Sequence, residues 1–129
     1  MKYRVLGQRL AVCQLAAAAS VPDWSLGKGF FCVTRTADEL SIVCEESRVP
    51  AGVRIEKEWV ALKLEGPFPF SMTGVLLSFL QPLAAAEIPI FAVSTFDTDY
   101  VLMKRDKLEQ AIEVLGAAGH ERLRNEIAL

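Results

Sequence analysis

Residues 59–118 read WVALKLEGPFPFSMTGVLLSFLQPLAAAEIPIFAVSTFDTDYVLMKRDKLEQAIEVLGAA. The alternation of apolar residues in 59–64 predicts a strand, which the glycine and the prolines that follow it end. Residues 90–94 and 100–103 are two more apolar runs of strand length around a short polar connection, and they indicate a hairpin. Apolar positions at helical spacing occur before and after this hairpin. The stretch therefore predicts the order strand, helix, strand, strand, helix.

The first predicted helix has a polar start and a proline near its end. Ser71 or Thr73 can cap it, and it should run to about Ala86. Pro82 should distort the last turns, because it lacks the amide that would bond the carbonyl of Ser78. The apolar stripe of this helix consists of Val75, Leu76, Phe79, Leu80 and Leu83.

The second predicted helix carries signals at both ends. Asp106 and Glu109 have the spacing of a capping box, in which each side chain bonds the backbone amide of the other residue. Gly119 can end the helix in the left-handed conformation. One apolar stripe is formed by Leu108, Ala111, Ile112, Leu115 and Ala118.

The first half of the chain shows a fainter version of the same order. Residues 3–6 and 10–15 are strand-like, 30–35 and 40–44 form a hairpin candidate, and the segment between 16 and 29 has room for one short helix only. A polar connection follows, with a boundary near residues 50–57. We therefore predict an α+β fold of two related modules, 1–56 and 57–129, each an antiparallel sheet with helices on one face.

Composition excludes several classes of function. The 129 residues include 14 basic and 16 acidic side chains, so the basic excess that binds nucleic acid is missing. Cys13, Cys32 and Cys44 are widely spaced and His120 is the single histidine, so no metal site is predicted. Three thiols favour a reduced, cytoplasmic protein, and no apolar run reaches the ~20 residues of a membrane span.

Enzyme activity has little support in the sequence. His120 follows the glycine that ends the last helix and is expected to be exposed, with no partner that would orient it as a base. The three cysteines lie in apolar segments and are expected to be buried and inert. No phosphate-binding loop or cofactor motif is present. A small enzyme of the racemase or transferase type that uses Asp97 or Cys44 is the weakest alternative.

The segment GPFPFSMTGV, residues 66–75, leads from a strand to the N-terminus of a helix. The free amides and partial positive charge of that terminus can bind a carboxylate. In a purely structural interpretation, Ser71 and Thr73 only cap the helix and Gly74 only allows close packing.

The segment STFDTDY, residues 94–100, places Asp97 and Asp99 in a tight connection between two strands. Aspartates are common in such turns because their side chains bond nearby amides. If Asp97 instead faces a cleft, it can pair with an ammonium group. Together the two segments would then suit a zwitterion such as a free amino acid.

The segments GPFPFSMTGV and STFDTDYVLMKRDKLEQAIEVLGAAGH resemble the ACT-domain family, in particular tandem ACT proteins similar to the CASTOR-type amino-acid sensors. The resemblance covers residues 59–119 and, more weakly, the hairpin in 30–46. It implies two ferredoxin-like modules of βαββαβ order, with amino acids bound at an interface between modules. The ligand-binding residues that it implies are Ser71, Thr73, Gly74 and Val75 on the helix side and Thr95, Phe96, Asp97 and Asp99 on the opposing loop.

The sequence thus predicts a non-catalytic, cytoplasmic regulatory protein that binds an amino acid and forms a homodimer. The alternative is a structural or adaptor module that acts by sheet-edge oligomerisation and binds no small molecule. Unpaired strand edges in small α+β units invite such association.

Overall fold

The computed structural model describes residues 1–68 and 74–124. Three short 3₁₀ helices occupy Asp23–Ser25, Glu46–Arg48 and Arg105–Lys107. Within residues 1–68 and 74–124, no helix is long and apolar enough to cross a membrane. The predicted α+β class is confirmed by the strands and helices, which are β1 (Lys2–Val5), β2 (Leu10–Leu15), β3 (Cys32–Arg35), β4 (Leu40–Glu45), β5 (Arg54–Leu64), α1 (Val75–Ala85), β6 (Phe91–Ser94), β7 (Asp99–Lys104), α2 (Leu108–Ala117) and β8 (Glu121–Leu123).

The chain divides into two compact units. The helical unit consists of Met1–Gly7 and Val60–Ala128, and the loop unit consists of Gln8–Trp59. Strand β5 contributes to both, because the division falls between Trp59 and Val60. The units differ from the modules 1–56 and 57–129 at the start of the chain. Strand β1 belongs to the helical unit, because it pairs with the end of β5 and with β8.

The loop unit has the sheet order β3-β4-β2-β5, and every neighbouring pair is antiparallel. Its elements follow the order of a ferredoxin-like module, except that 3₁₀ helices stand where α-helices would be expected. The short helix predicted between residues 16 and 29 is the 3₁₀ turn Asp23–Ser25. Trp24 from that turn packs against the buried core, which consists of Ala11, Cys13, Leu40, Ile42 and Cys44.

A buried amide side chain anchors the long connection between β2 and β3. Gln8 is 6% exposed, and its Nε2 donates to the carbonyl of Lys28 at 3.3 Å and to Glu45 Oε2 at 3.0 Å. Its Oε1 accepts from the backbone amide of Phe30 at 2.8 Å. Gln8 therefore supplies hydrogen bonds that a helix would otherwise make within its own backbone.

Two arginines bond the same connection, Arg48 from the 3₁₀ helix Glu46–Arg48 and Arg35 from β3. Arg48 Nε donates to the carbonyl of Trp24 at 2.9 Å, and its Nη2 donates to the carbonyl of Leu26 at 3.3 Å. Arg35 Nη2 donates to the carbonyl of Ala19 at 2.6 Å. Because a guanidinium group carries several donors in a fixed plane, each arginine can satisfy more than one free carbonyl.

The helical unit has the sheet order β6-β7-β5-β1-β8. From β5 onward its elements run strand, helix, strand, strand, helix, strand, which adds β8 to the predicted order. Strand β1 lies between β5 and β8, antiparallel to the first and parallel to the second. The buried core of the unit consists of Tyr3, Val5, Val60, Leu62, Leu64, Phe79, Leu83, Ile88, Val101, Met103, Ala111 and Leu115.

The predicted helix ends are partly wrong. Helix α1 begins after Gly74 and has no side-chain cap, while Ser71 and Thr73 lie outside the described residues. Helix α2 also lacks a side-chain cap, because Asp106 lies within the 3₁₀ turn that precedes it rather than at the capping position. The predicted left-handed glycine is confirmed, with φ of 92° at Gly119. Ala118 lies beyond the last residue of α2 and is exposed.

The expectation of an exposed His120 is wrong. Its ring is half-buried and lies edge-on to Phe79, with 5.2 Å between the ring centroids. His120 Nε2 lies 3.1 Å from the carbonyl oxygen of Ser78. This is the carbonyl that Pro82 cannot satisfy within α1, so the Nε2–H tautomer of His120 replaces the missing helical donor.

Candidate functional site

A pocket of about 350 Å³ lies in the helical unit, between the N-terminal end of α1 and the connection from β6 to β7. Both segments singled out in the sequence contribute to it. The lining residues are Phe68, Gly74, Val75, Leu76, Leu77, Ser94, Thr95, Phe96, Asp97, Thr98 and Asp99.

The helix side of the pocket begins at Gly74. Its φ of 76° is left-handed, a conformation that glycine adopts without the strain that a side chain would cause. The carbonyl of Gly74 accepts from the amide of Ser78 at 2.9 Å and so starts the hydrogen-bond ladder of α1. By helix geometry, the amides of the first turn have no intrahelical acceptor. This end of α1 therefore offers donors and a partial positive charge to an anion.

The loop side of the pocket is a tight turn fixed to the sheet. The amide and the hydroxyl of Thr95 donate to the carbonyl of Thr98, at 2.8 and 3.1 Å. Thr98 is buried, and its Oγ1 donates to the carbonyl of Leu64 at 2.7 Å. Because Leu64 is the last residue of β5, the turn has a defined position relative to the strand that leads to the pocket.

Asp97 lies at the point where the two segments approach each other. Its carbonyl accepts from the amide of Phe68 at 2.8 Å. A Cβ atom added at Gly66 would lie 2.8 Å from that same carbonyl oxygen and 3.2 Å from the Cβ of Thr98. Only glycine fits there without a backbone shift, so Gly66 allows the close approach that places Asp97 at the pocket.

Asp99 has a different environment from Asp97. It is paired with Ser94 across the β6–β7 ladder, and Ser94 Oγ donates to its Oδ1 at 2.5 Å. One oxygen of this carboxylate is therefore already engaged within the hairpin. Asp97, in contrast, is an exposed residue of the turn.

The structure brings together six of the eight predicted site residues: Gly74, Val75, Thr95, Phe96, Asp97 and Asp99. Ser71 and Thr73 lie outside the described residues. That these residues bind a ligand stays a prediction.

Five lining residues were not predicted as site residues: Phe68, Leu76, Leu77, Ser94 and Thr98. The sequence could have indicated Leu77, because it is a leucine outside the apolar stripe of α1. In the structure it is 67% exposed. Ser94 and Thr98 lie within the quoted turn segment, but their contacts with Asp99 and with Leu64 are not visible in local sequence.

Cys13 and Cys44 belong to the loop unit and are not among the lining residues of the pocket. Burial raises the pKa of Cys13 to about 12, and burial also raises the pKa of Cys44. Because the thiolate is the reactive form of cysteine, both groups are unreactive near neutral pH. The geometry therefore gives no support to the alternative in which Cys44 acts as a nucleophile.

The chain matches two family models. The model of the ACT domain matches residues 54–117, which covers β5 to α2. A model of an N-terminal domain matches residues 8–52, most of the loop unit.

Two human proteins are similar in sequence. Protein CASTOR3P of Homo sapiens is 32% identical over 91 residues, which is 60% of this chain and 56% of that protein. The cytosolic arginine sensor for mTORC1 subunit 1 of Homo sapiens is 30% identical over 107 residues. That alignment covers 77% of this chain but only 32% of the sensor, so the chain spans about a third of its length.

Solved structures extend the likeness over the whole chain. The protein Atu0741 of Agrobacterium tumefaciens is 40% identical, with a TM-score of 0.91. The superposition covers 99% of this chain and 97% of that protein. The aspartate kinase of Clostridium acetobutylicum is 12% identical with a TM-score of 0.65, over 90% of this chain and 34% of the kinase. Because the identity is only 12%, the similarity to the kinase shows a shared fold alone. That fold is the predicted ferredoxin-like arrangement. Together with the match of residues 54–117 to the ACT model, these relatives show that the chain belongs to the ACT domain family.

Proposed function

We propose that this chain is a non-catalytic regulatory protein whose pocket binds a free amino acid. One observation carries the proposal: the N-terminal end of α1 and the turn that bears Asp97 line the same pocket. The helix end suits the α-carboxylate of an amino acid, and the carboxylate of Asp97 suits its ammonium group. The related human protein is named as an arginine sensor, which supports ligand binding in this family.

The size of the pocket also supports a small ligand. Its volume of about 350 Å³ lies at the lower end of the range of pockets that bind small molecules. Its lining contains both apolar residues, such as Phe68 and Leu77, and polar residues, such as Thr95 and Asp97. Such a lining can enclose an apolar stem while a few polar groups fix its orientation.

A thermal-shift screen with the twenty amino acids tests the proposal. Binding should raise the free energy of unfolding by about 2.7 kcal/mol at a hundredfold excess of ligand over Kd, and so raise Tm. Asp97→Ala should remove most of the response, because the ammonium group loses its partner. Unchanged melting of the wild type at millimolar concentrations of every amino acid would refute the proposal.

Asp38→Ala is the matched control. Asp38 is the third residue of the turn Thr36–Glu39, as Asp97 is the third residue of Thr95–Thr98. The amide of Thr36 donates to the carbonyl of Glu39 at 2.9 Å, so the two turns close in the same way. If Asp38→Ala and Asp97→Ala reduce the ligand response equally, the effect comes from the loss of an aspartate in a hairpin turn and not from a contact between Asp97 and the ligand.

The second candidate function is an adaptor that pairs sheet edges, in a homodimer or with another protein. Strands β3 and β6 are each paired on one side only among the described strands. Phe96, 80% exposed, and Leu77 add apolar surface near β6. Size-exclusion chromatography with light scattering tests the homodimeric form of this function, since a monomer at all concentrations would contradict it. A cytoplasmic location is part of our first proposal, by analogy with the cytosolic sensor.

A further inference from the structure

Of the two segments that contribute described lining residues to the pocket, only residues 94–100 carry charged side chains, and both of these are acidic. Residues 66–75 read GPFPFSMTGV and residues 94–100 read STFDTDY, so lysine, arginine and histidine are absent from both. Asp97 and Asp99 both line the pocket. The charged side chains of these segments are therefore all negative.

The other described lining residues offer neither a cation nor an unengaged hydroxyl to a second negative charge on a ligand. Phe68, Val75, Leu77 and Phe96 are apolar and offer no side-chain donors. The hydroxyl of Ser94 is already engaged, because it donates to Asp99. The hydroxyls of Thr95 and Thr98 donate to backbone carbonyls. Among the described lining residues, the backbone amides at the start of α1 are thus the main donors left for an anionic group.

An amino acid of neutral side chain adds no second anion to these groups. Its α-carboxylate takes the helix end and its ammonium group takes Asp97. A side-chain carboxylate would be a second anion in the same pocket, close to Asp99 and without a cation in either segment. Like charges at short range in a partly apolar site repel strongly, and desolvation of the extra carboxylate adds to the cost.

We infer that the pocket selects its ligand by side-chain charge: it excludes aspartate and glutamate, and Asp99 is the residue that determines this specificity. The inference rests on the proposed function and names the ligand class of the same site. It also separates two roles, because Asp97 would bind the ammonium group common to all amino acids, whereas Asp99 would exclude a subset of them.

Two isosteric pairs of amino acids test the inference. Glutamine and glutamate have nearly the same shape, as do asparagine and aspartate, so each pair differs mainly in charge. Calorimetric titration of the full chain should show that the amide of each pair binds about tenfold or more tightly than the acid. The ratio should shrink at high salt, since screening weakens repulsion near the surface.

Asp99→Asn identifies the residue responsible. Asparagine keeps an oxygen that can accept from Ser94 but removes the negative charge, so glutamate and aspartate should bind severalfold more tightly than to the wild type. Asp106→Asn, at an exposed acid outside the pocket lining, should leave their affinities unchanged. Equal binding of acid and amide by the wild type, or no gain in Asp99→Asn, would overturn the inference while amino-acid binding itself stands. Absence of binding by all twenty amino acids would instead refute the proposed function.

Discussion

The helical unit and the loop unit share an element order but are stabilised differently. In the helical unit, α1 and α2 bury apolar side chains such as Phe79 and Leu115 against the sheet. In the loop unit, 3₁₀ turns and an extended connection take the place of helices, and side chains such as Gln8 and Arg48 bond the backbone of that connection. The difference teaches that this topology tolerates the loss of its helices when side-chain donors satisfy the freed carbonyls.

The hairpins of the two units sharpen this comparison. The turns TADE at 36–39 and TFDT at 95–98 place a threonine and an aspartate at the same positions, and both are closed by a bond from the first amide to the fourth carbonyl. Only the turn at 95–98 lines a pocket together with the start of an α-helix. The turn alone therefore does not create the candidate site.

The largest effect that we expect comes from the apolar core of the helical unit. Phe79→Ala should lower the free energy of unfolding by about 3–5 kcal/mol, because it leaves a cavity where the ring contacts Tyr3 and His120. Urea denaturation followed by circular dichroism at 222 nm measures it, since both α-helices of the described chain lie in this unit. Leu77→Ala, on the same helix but exposed, should cost less than about 0.5 kcal/mol. Similar losses in the two variants would contradict apolar stabilisation of α1.

The corresponding change in the loop unit is Gln8→Ala. It should cost about 2–3 kcal/mol, because the amide of Phe30 and the carbonyl of Lys28 lose their part-buried hydrogen bonds to Gln8. Tryptophan fluorescence during denaturation monitors the unfolding of this unit, which contains Trp24 and Trp59.

Gln14→Ala is the control for Gln8→Ala. Gln14 is exposed and makes a hydrogen bond to Glu39 at 3.3 Å, so its loss should hardly change stability. If Gln8→Ala proves as mild as Gln14→Ala, the connection is held by packing and the contrast between the two units disappears.

The smallest effect concerns a place where the helical unit also uses a side-chain donor to bond a free helix carbonyl. His120→Ala should destabilise the wild type by about 1 kcal/mol more than it destabilises Pro82→Ala. In the Pro82→Ala background, residue 82 has an amide that can bond the carbonyl of Ser78 in place of His120. A double-mutant cycle by urea denaturation isolates this coupling, because loss of the contact with Phe79 is common to both backgrounds. Additive effects would show that His120 stabilises by packing alone.

Local patterns in the sequence predicted much of the fold. The apolar spacing in Val75–Ala85 and Leu108–Ala117 and the alternation in the strands are consequences of each segment facing one core. The turn at 95–98 was also recognisable, because aspartate marks such turns locally. Six residues of the predicted site consequently line one pocket.

The features that sequence could not predict are those that depend on distant partners. His120 bonds a carbonyl of α1, and Thr98 bonds the end of β5, so neither role is encoded near the residue itself. The helix caps were misjudged because several polar side chains lay within a few positions of each helix start. Strand β8 has only three residues, too few for a periodic signal.

The position of β1 has a consequence for how the chain folds as it is synthesised. Tyr3 pairs with Leu64, so β1 leaves the ribosome before the entire loop unit and before its own partner. At a synthesis rate of ~5–20 residues per second, several seconds pass between the synthesis of β1 and that of its partner residues in β5. During that interval the apolar residues Tyr3 and Val5 lack the strands β5 and β8 beside which they are buried in the folded unit.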